Sequence, residues 1–294
     1  MSLAGIADSA STTDSPVGDQ GSDALLNRFT VNEFTAPPVV WAYGPRNCGL
    51  TTLLASLVVQ VQQREGGGLD GVVVVTSRPR TDGRYMGDIF PGALVVPCST
   101  MSVGTVLSKL VVLQRHWKSP DRPALRLAVV ADDAITVKEV RSLEVQSEIQ
   151  QAAQANIALF IGTTDLSTLT PAVQRLATHV MASKCMSTDD PKALKKHMFV
   201  MFPKHAALSD VLNHLDAHEF LVGKLTPGLP LTDVVKVYKA AVYSTDGRWP
   251  GAAGDVAAWS GSLALPEPTA DVYRFAMAPE LIAHIAHTLA PQKK

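Results

Sequence analysis

The stretch Val39-Val40-Trp41-Ala42-Tyr43-Gly44-Pro45-Arg46-Asn47-Cys48-Gly49-Leu50-Thr51-Thr52-Leu53-Leu54 constrains the chain more than any other. An apolar run of strand length is followed by a loop bounded by glycines and then by an apolar helix start, the order of a βα unit. The glycine spacing and the hydroxyl fit the phosphate-cradling pattern G-x-x-x-x-G-K-[ST]. In that pattern backbone amides and a helix N-terminus wrap the phosphates, the lysine reaches the β- and γ-phosphates, and the hydroxyl holds Mg²⁺. Gly44 and Gly49 keep the spacing and Thr51 is in register for the metal, but Leu50 stands where the lysine belongs.

Amide donors need no particular side chain, so Gly44, Arg46, Asn47, Cys48, Gly49, Leu50, Thr51 and Thr52 are the candidate nucleotide-binding residues. The lysine also stabilises charge in the transition state of hydrolysis, and Arg46 is its nearest substitute. Taken alone, the segment reads equally well as a plain βα connection.

Further along, Arg126-Leu127-Ala128-Val129-Val130-Ala131-Asp132-Asp133 is a buried-strand run ending in paired carboxylates, the form of a Walker B element. A parallel strand buried on both faces reads as continuous Val and Leu, and ligands gather at the strands' carboxyl ends. Asp132 is assigned to the magnesium shell and Asp133 to the catalytic position, orienting or deprotonating the attacking water. The alternative is that the two aspartates cap a helix running from Val137 to about Ala155. A third run, Asn156-Ile157-Ala158-Leu159-Phe160-Ile161-Gly162-Thr163-Thr164, ends in polar residues where nucleotide motors place a γ-phosphate sensor, here Thr164. Arg175 lies one short helix later, at Leu169-Thr170-Pro171-Ala172-Val173-Gln174-Arg175-Leu176. It is a candidate finger for a neighbouring subunit's phosphate or else a solvated helix residue.

In this order of parts, from about Pro38 to about Leu225, the chain resembles the poxvirus-type genome-packaging ATPases of large DNA viruses, a branch of the HerA/FtsK superfamily of hexameric DNA translocases. The matching pieces include the loop from Gly44 to Thr51, the strand Gly71-Val72-Val73-Val74-Val75-Thr76 and the stretch Tyr85-Met86-Gly87-Asp88-Ile89-Phe90-Pro91. The Asp132-Asp133 pair and the polar-ended strand with its Leu-x-Pro and arginine complete the set. The resemblance implies an α/β P-loop NTPase-like fold of the RecA-like, HerA/FtsK type, with a mainly parallel sheet and helices on both faces. It also implies ATP and Mg²⁺ as ligands, double-stranded DNA as substrate, a homo-oligomeric ring of hexameric type, and capsid or packaging proteins as partners. Two departures fall on the chemical step: Leu50 makes the Walker A degenerate, and Gly162-Thr163-Thr164-Asp165 stands where the family commonly has a glutamine.

Residues 1 to 27, rich in Ser, Ala, Asp, Gly and Thr, read as a disordered arm rather than a signal peptide, with no basic or apolar leader region. Residues 28 to 225 read as the ATPase-like domain, and 226 to 294 as an extension ending in a helix over Met277 to Ala286. Within the domain, strands are expected at Val39 to Tyr43, Val72 to Thr76, Ala93 to Pro97, Leu125 to Ala131 and Ile157 to Gly162. Helices are expected at Leu53 to Arg64, Val103 to Trp117, Val137 to Ala155 and Asp210 to His218. No apolar run approaches the length of a membrane span, so a soluble chain is expected, and the resemblance implies a protein of the host cytoplasm or viral factory, or one carried with the virion.

Three separated cysteines, Cys48, Cys98 and Cys185, argue against a disulfide framework and a zinc cluster. His214 and His218 stand four apart but lack neighbouring ligands for a metal. With a net charge of −1 the chain has no basic excess for DNA, although a ring gathers a few basic side chains from each subunit at its pore. Arg78, Arg80, Arg84, Lys192, Lys195 and Lys196 are the candidates. The sequence supports a DNA-translocating ATPase and, because of Leu50, a non-hydrolysing pseudo-ATPase with a structural or regulatory role. A nucleoside-kinase-like enzyme is weaker, since no lid or base-reading motif is evident.

Overall fold

Valine-rich runs without a polar face form the centre of the fold. A computed structural model describes residues 26–34, 37–64, 68–77, 93–118, 123–185, 187–226 and 231–240. The strands are β1 (Val39–Tyr43), β2 (Gly71–Thr76), β3 (Leu94–Pro97), β4 (Leu127–Asp132), β5 (Ile157–Thr163), β6 (His179–Ala182), β7 (Glu219–Lys224) and β8 (Val235–Lys239). They make one eight-stranded sheet in the order β3-β2-β4-β5-β1-β6-β7-β8. The pairings from β3 across to β6 are parallel, and β7 and β8 close the edge in antiparallel fashion. Strand β5 therefore separates the strand that enters the glycine loop from the strand that carries the aspartates.

Helices α1 (Leu50–Gln63), α2 (Val103–Trp117), α3 (Val137–Arg141), α4 (Leu143–Gln154), α5 (Pro171–Leu176), α6 (Asp190–His197), α7 (His205–Asn213) and α8 (Leu231–Val234) connect or flank the strands. The period-two pleat sorts each strand between two cores. Val40, Ala42, Val72, Val74, Ala128, Val130, Ala158 and Phe160 meet α1 and the segment Phe29 to Phe34 on one face. Trp41, Val73, Val75, Val129, Leu159 and Ile161 meet α2, α4, α5, α6 and α7 on the other. Both faces are covered, which is why the strands carry no polar alternation.

Several boundaries differ from the sequence expectation for local reasons. The helix expected from Val137 to Ala155 breaks at Ser142, whose extended backbone (φ −67, ψ 125) ends α3 and whose hydroxyl caps α4 through the Val145 amide. The helix expected from Asp210 to His218 lies earlier, at His205–Asn213. His218 has a φ of 62 and belongs to a turn, a conformation that a helix does not admit.

The sheet also continues past Leu225, because β8 pairs with β7. Residue Arg28 bridges Val237 of β8, and Lys236 pairs with Glu33 at 2.7 Å, so the segment from Leu26 to Phe34 packs on that edge. The stretch Tyr85 to Pro91, the cations Arg78, Arg80 and Arg84, most of the N-terminal arm and the helix expected at Met277 to Ala286 lie outside the described residues. Among the described residues, no helix is long and apolar enough to cross a membrane.

Candidate active site

Strand β1 ends at Tyr43 and the chain turns through the glycine loop into α1. The loop is tied down by backbone bonds: Gly44 N–H donates to Thr163 O at 3.3 Å, Cys48 N–H to Pro45 O at 3.2 Å, and Leu53 N–H to Gly49 O at 2.8 Å. Asn47 and Gly49 adopt left-handed backbone, φ 67 and 90. Left-handed residues among right-handed ones turn successive amides toward one concavity, the backbone form of an anion cradle. A Cβ at Gly44 would lie 2.3 Å from Cys48 Sγ and 2.7 Å from Ser183 Oγ. Glycine is thus required at both ends of the loop, by close approach at Gly44 and by conformation at Gly49. Arg46 and Asn47 form the exposed crest. Thr51 and Thr52, in the first turn of α1, are half-buried.

The side chain of Leu50 turns away from the cradle. It is 6% exposed and packs in the core on the α1 face. A Cβ at Gly162 of β5 would lie 3.2 Å from its Cγ. Residue 50 thus offers the loop its amide, while its side chain anchors the first turn of α1 to the sheet.

Pleat parity places the acids. Asp132 ends β4 on the face toward α1, and its Oδ2 accepts the Thr51 hydroxyl at 2.9 Å. Asp133, one residue on, leaves the strand with φ 49, its amide donating to Gly162 O at 2.9 Å. Its Oδ1 accepts from both the amide (3.2 Å) and the hydroxyl (3.0 Å) of Thr164. The structure therefore brings Thr51, Asp132, Asp133 and Thr164 together at the carboxyl ends of β4 and β5, beside the N-terminus of α1. The next helix is capped by Thr136 in a reciprocal box with Glu139, so the helix-cap reading of the aspartates is set aside.

A hydroxyl and a carboxylate oxygen held 2.9 Å apart are hard oxygen donors of the kind Mg²⁺ takes. The Thr51–Asp132 pair fits a magnesium site completed by phosphate oxygens and water. The loop thiols are not poised for chemistry: burial pushes Cys48 up, and burial followed by the nearby Asp190 carboxylate pushes Cys185 up to about 12.

Arg175 is exposed on α5 and donates to Gln146 Oε1 on α4 at 3.3 Å. Within the chain it lies on a helical flank. Lys192 is paired with Asp189 at 2.8 Å, and Lys195 and Lys196 occupy the last turn of α6. The sequence reading missed one residue at the loop: the ring of His218 lies against Gly49, where a Cβ would be 2.5 Å from its Nδ1. No motif announces it, because it comes from the turn before β7.

No family model matches the chain, and no curated protein matches it. Solved structures do. The chain is similar to the genome packaging NTPase B204 from Sulfolobus turreted icosahedral virus 2 in complex with ATP-gammaS, with a TM-score of 0.51 at 12% identity over 70% of this chain and 98% of that one. The DNA-packaging ATPase B204 from Sulfolobus Turreted Icosahedral Virus gives 0.50 at 14% identity, over 70% of this chain and 99% of that one. The cytoplasmic domain of the Type VII secretion ATPase EccC from Thermomonospora curvata gives 0.50 at 13% identity, over 71% of this chain and 26% of that one. At such identities the likeness is one of fold. The protein has the α/β fold of a RecA-like P-loop NTPase, a mainly parallel sheet with helices on both faces and a glycine loop between β1 and α1.

Proposed function

We propose that this chain is a genome-packaging ATPase that uses ATP hydrolysis to move double-stranded DNA into a capsid. It works as a homo-oligomeric ring, of hexameric type, docked on capsid or packaging proteins in the host cytoplasm or viral factory or carried with the virion. The observation that carries the reading is the pairing of Thr51 with Asp132 at 2.9 Å, beside the Asp133–Thr164 pair. A plain βα connection has no need of a hydroxyl and two carboxylates converging on a helix N-terminus. The packaging assignment is supported by the solved packaging ATPases of similar fold.

In this reading the amides of the Gly44 to Thr52 segment hold the polyphosphate, and Arg46 on the exposed crest is the loop's own cation. Thr51 and Asp132 would hold Mg²⁺, which would supply charge neutralisation on the polyphosphate. Asp133, one residue beyond the metal-side carboxylate, orients the attacking water and accepts its proton. The Thr164 amide and hydroxyl fix Asp133 through its Oδ1. Positioning and charge stabilisation are most of what phosphoryl transfer asks of a protein.

Steady-state ATPase assays with and without DNA test the proposal. DNA-stimulated turnover that is lost in Asp133→Ala supports it, whereas turnover indifferent to that change excludes Asp133 from the chemistry. A second reading, a non-hydrolysing pseudo-ATPase with a structural or regulatory role, is favoured by the burial of Leu50. Nucleotide binding without measurable turnover selects it.

A further inference from the structure

Leu50 takes its side chain into the core, so the first turn of α1 brings no cation to the cradle. The strand beside β1 does. Strand β6 runs parallel to β1 with Ala182 opposite Tyr43, and one residue on, the Ser183 amide donates to Tyr43 O at 3.1 Å. The Ser183 side chain is buried against the loop: a Cβ at Gly44 would lie 2.7 Å from its Oγ and 3.5 Å from its own Cβ. Lys184 follows directly and is exposed, where β6 has ended and β1 has given way to the loop. Consecutive Cα atoms lie about 3.8 Å apart and neighbouring strands about 4.8 Å apart, distances that the four-carbon stem of lysine spans. The acids that follow in the chain are engaged elsewhere. Asp189 is paired with Lys192 at 2.8 Å, and Asp190 is buried and accepts the Tyr43 hydroxyl at 3.2 Å. Among the described residues no ion pair involves Lys184.

The geometry points to Lys184 as a phosphate-binding residue, its ammonium set against the polyphosphate on the flank of the loop away from the Thr51–Asp132 pair. The assignment rests on the ATPase reading above and extends it. In the sheet order, β5 and β4 lie on one side of β1 and β6 on the other, so the carboxylates stand on one flank of the loop and the lysine on the opposite one. An ammonium on a flexible stem is a point charge that needs no fixed fork geometry, so it serves the phosphates from outside the loop. Its signature is ionic: the contribution appears with ATP and ADP, vanishes with adenosine, and weakens as salt screens an exposed charge.

Calorimetric titration of the full chain with ATP, ADP and adenosine at low and high salt, on wild type, Lys184→Arg, Lys184→Met and Lys118→Met, tests it. Methionine keeps most of the stem and removes the charge. Lys118, exposed at the C-cap of α2, loses the same charge away from the loop. Expected at low salt is a loss of about tenfold or more in ATP and ADP affinity for Lys184→Met, with Lys184→Arg within about threefold of wild type. The loss narrows at high salt, adenosine affinity is unchanged throughout, and Lys118→Met matches wild type. If Lys184→Met does not fold, Lys184→Gln takes its place with the same expected loss. The assignment is overturned if Lys118→Met loses as much as Lys184→Met, if the loss is the same at both salt concentrations, or if adenosine affinity falls in parallel. A wild type that binds no ATP defeats the ATPase reading itself. A wild type that binds ATP with Lys184→Met unaffected defeats only the role of Lys184.

Discussion

Thr51 and Asp132, 81 residues apart in the chain, meet at 2.9 Å through a hydroxyl on the first turn of α1 and a carboxylate at the end of β4. If the pair holds Mg²⁺, chelation of the metal should weaken ATP binding in the wild type, and Asp132→Asn should reproduce that loss. In the Asp132→Asn protein chelation should then change affinity little. Titration with and without a chelator checks this, and a variant that keeps the full metal dependence removes Asp132 from the site.

Leu50→Lys separates the motor from the pseudo-ATPase. Removing a buried leucine costs about 1.5–3 kcal/mol, lessened where the lysine stem stays against Gly162 and only the ammonium swings to the cradle. The expected result is a lower thermal midpoint together with a gain in turnover of at least about tenfold over wild type. Unchanged turnover in a folded Leu50→Lys protein means that the deficit lies elsewhere.

Arg175 tests the ring. Its bond to Gln146 is an exposed contact, so Arg175→Ala should leave folding within about 0.5 kcal/mol of wild type. If the arginine acts across a subunit boundary, the variant should lose turnover and keep nucleotide affinity. Mixing it with Asp133→Ala should recover part of the activity, because mixed rings contain interfaces that carry both groups. Recovery of nothing from two folded, assembled parents makes Arg175 an ordinary helix residue.

His179 sets an acid limit on stability. Burial, and then the charge of Lys224, hold its pKa down at about 4, and its ring packs on Phe34 and Phe29 at centroid distances of 4.9 and 5.7 Å. The unfolded chain takes up this proton near pH 6.5 and the folded chain only near 4. The contribution is therefore complete above about pH 6.5 and is lost as the pH falls toward 4, by about 3 kcal/mol in total. Denaturation at a series of pH values should show a shallower decline between pH 7 and 5 for His179→Phe than for wild type. Parallel curves exclude His179 as the source.

The parts of this protein legible in the sequence are those fixed by near neighbours. A strand, a glycine-bounded turn and a helix start are local patterns, so β1, the loop and α1 are readable from residues 39 to 63, although α1 begins at Leu50 rather than Leu53. Paired carboxylates closing an apolar run are likewise a local pattern, so Asp132 and Asp133 stand out in the sequence as acids at a strand's carboxyl end. The direction of the Leu50 side chain, toward the cradle or toward the sheet, is not set by local pattern.

Tertiary structure decided that question through Gly162, which leaves room beside β5 for a buried leucine. It also decided the pairing of β8 with β7 and the placement of His218 over Gly49. Each depends on sheet order and register between segments many residues apart. Hydrophobic periodicity specifies which face of a strand is buried, but it carries no record of which strand lies alongside or whose turn reaches the loop.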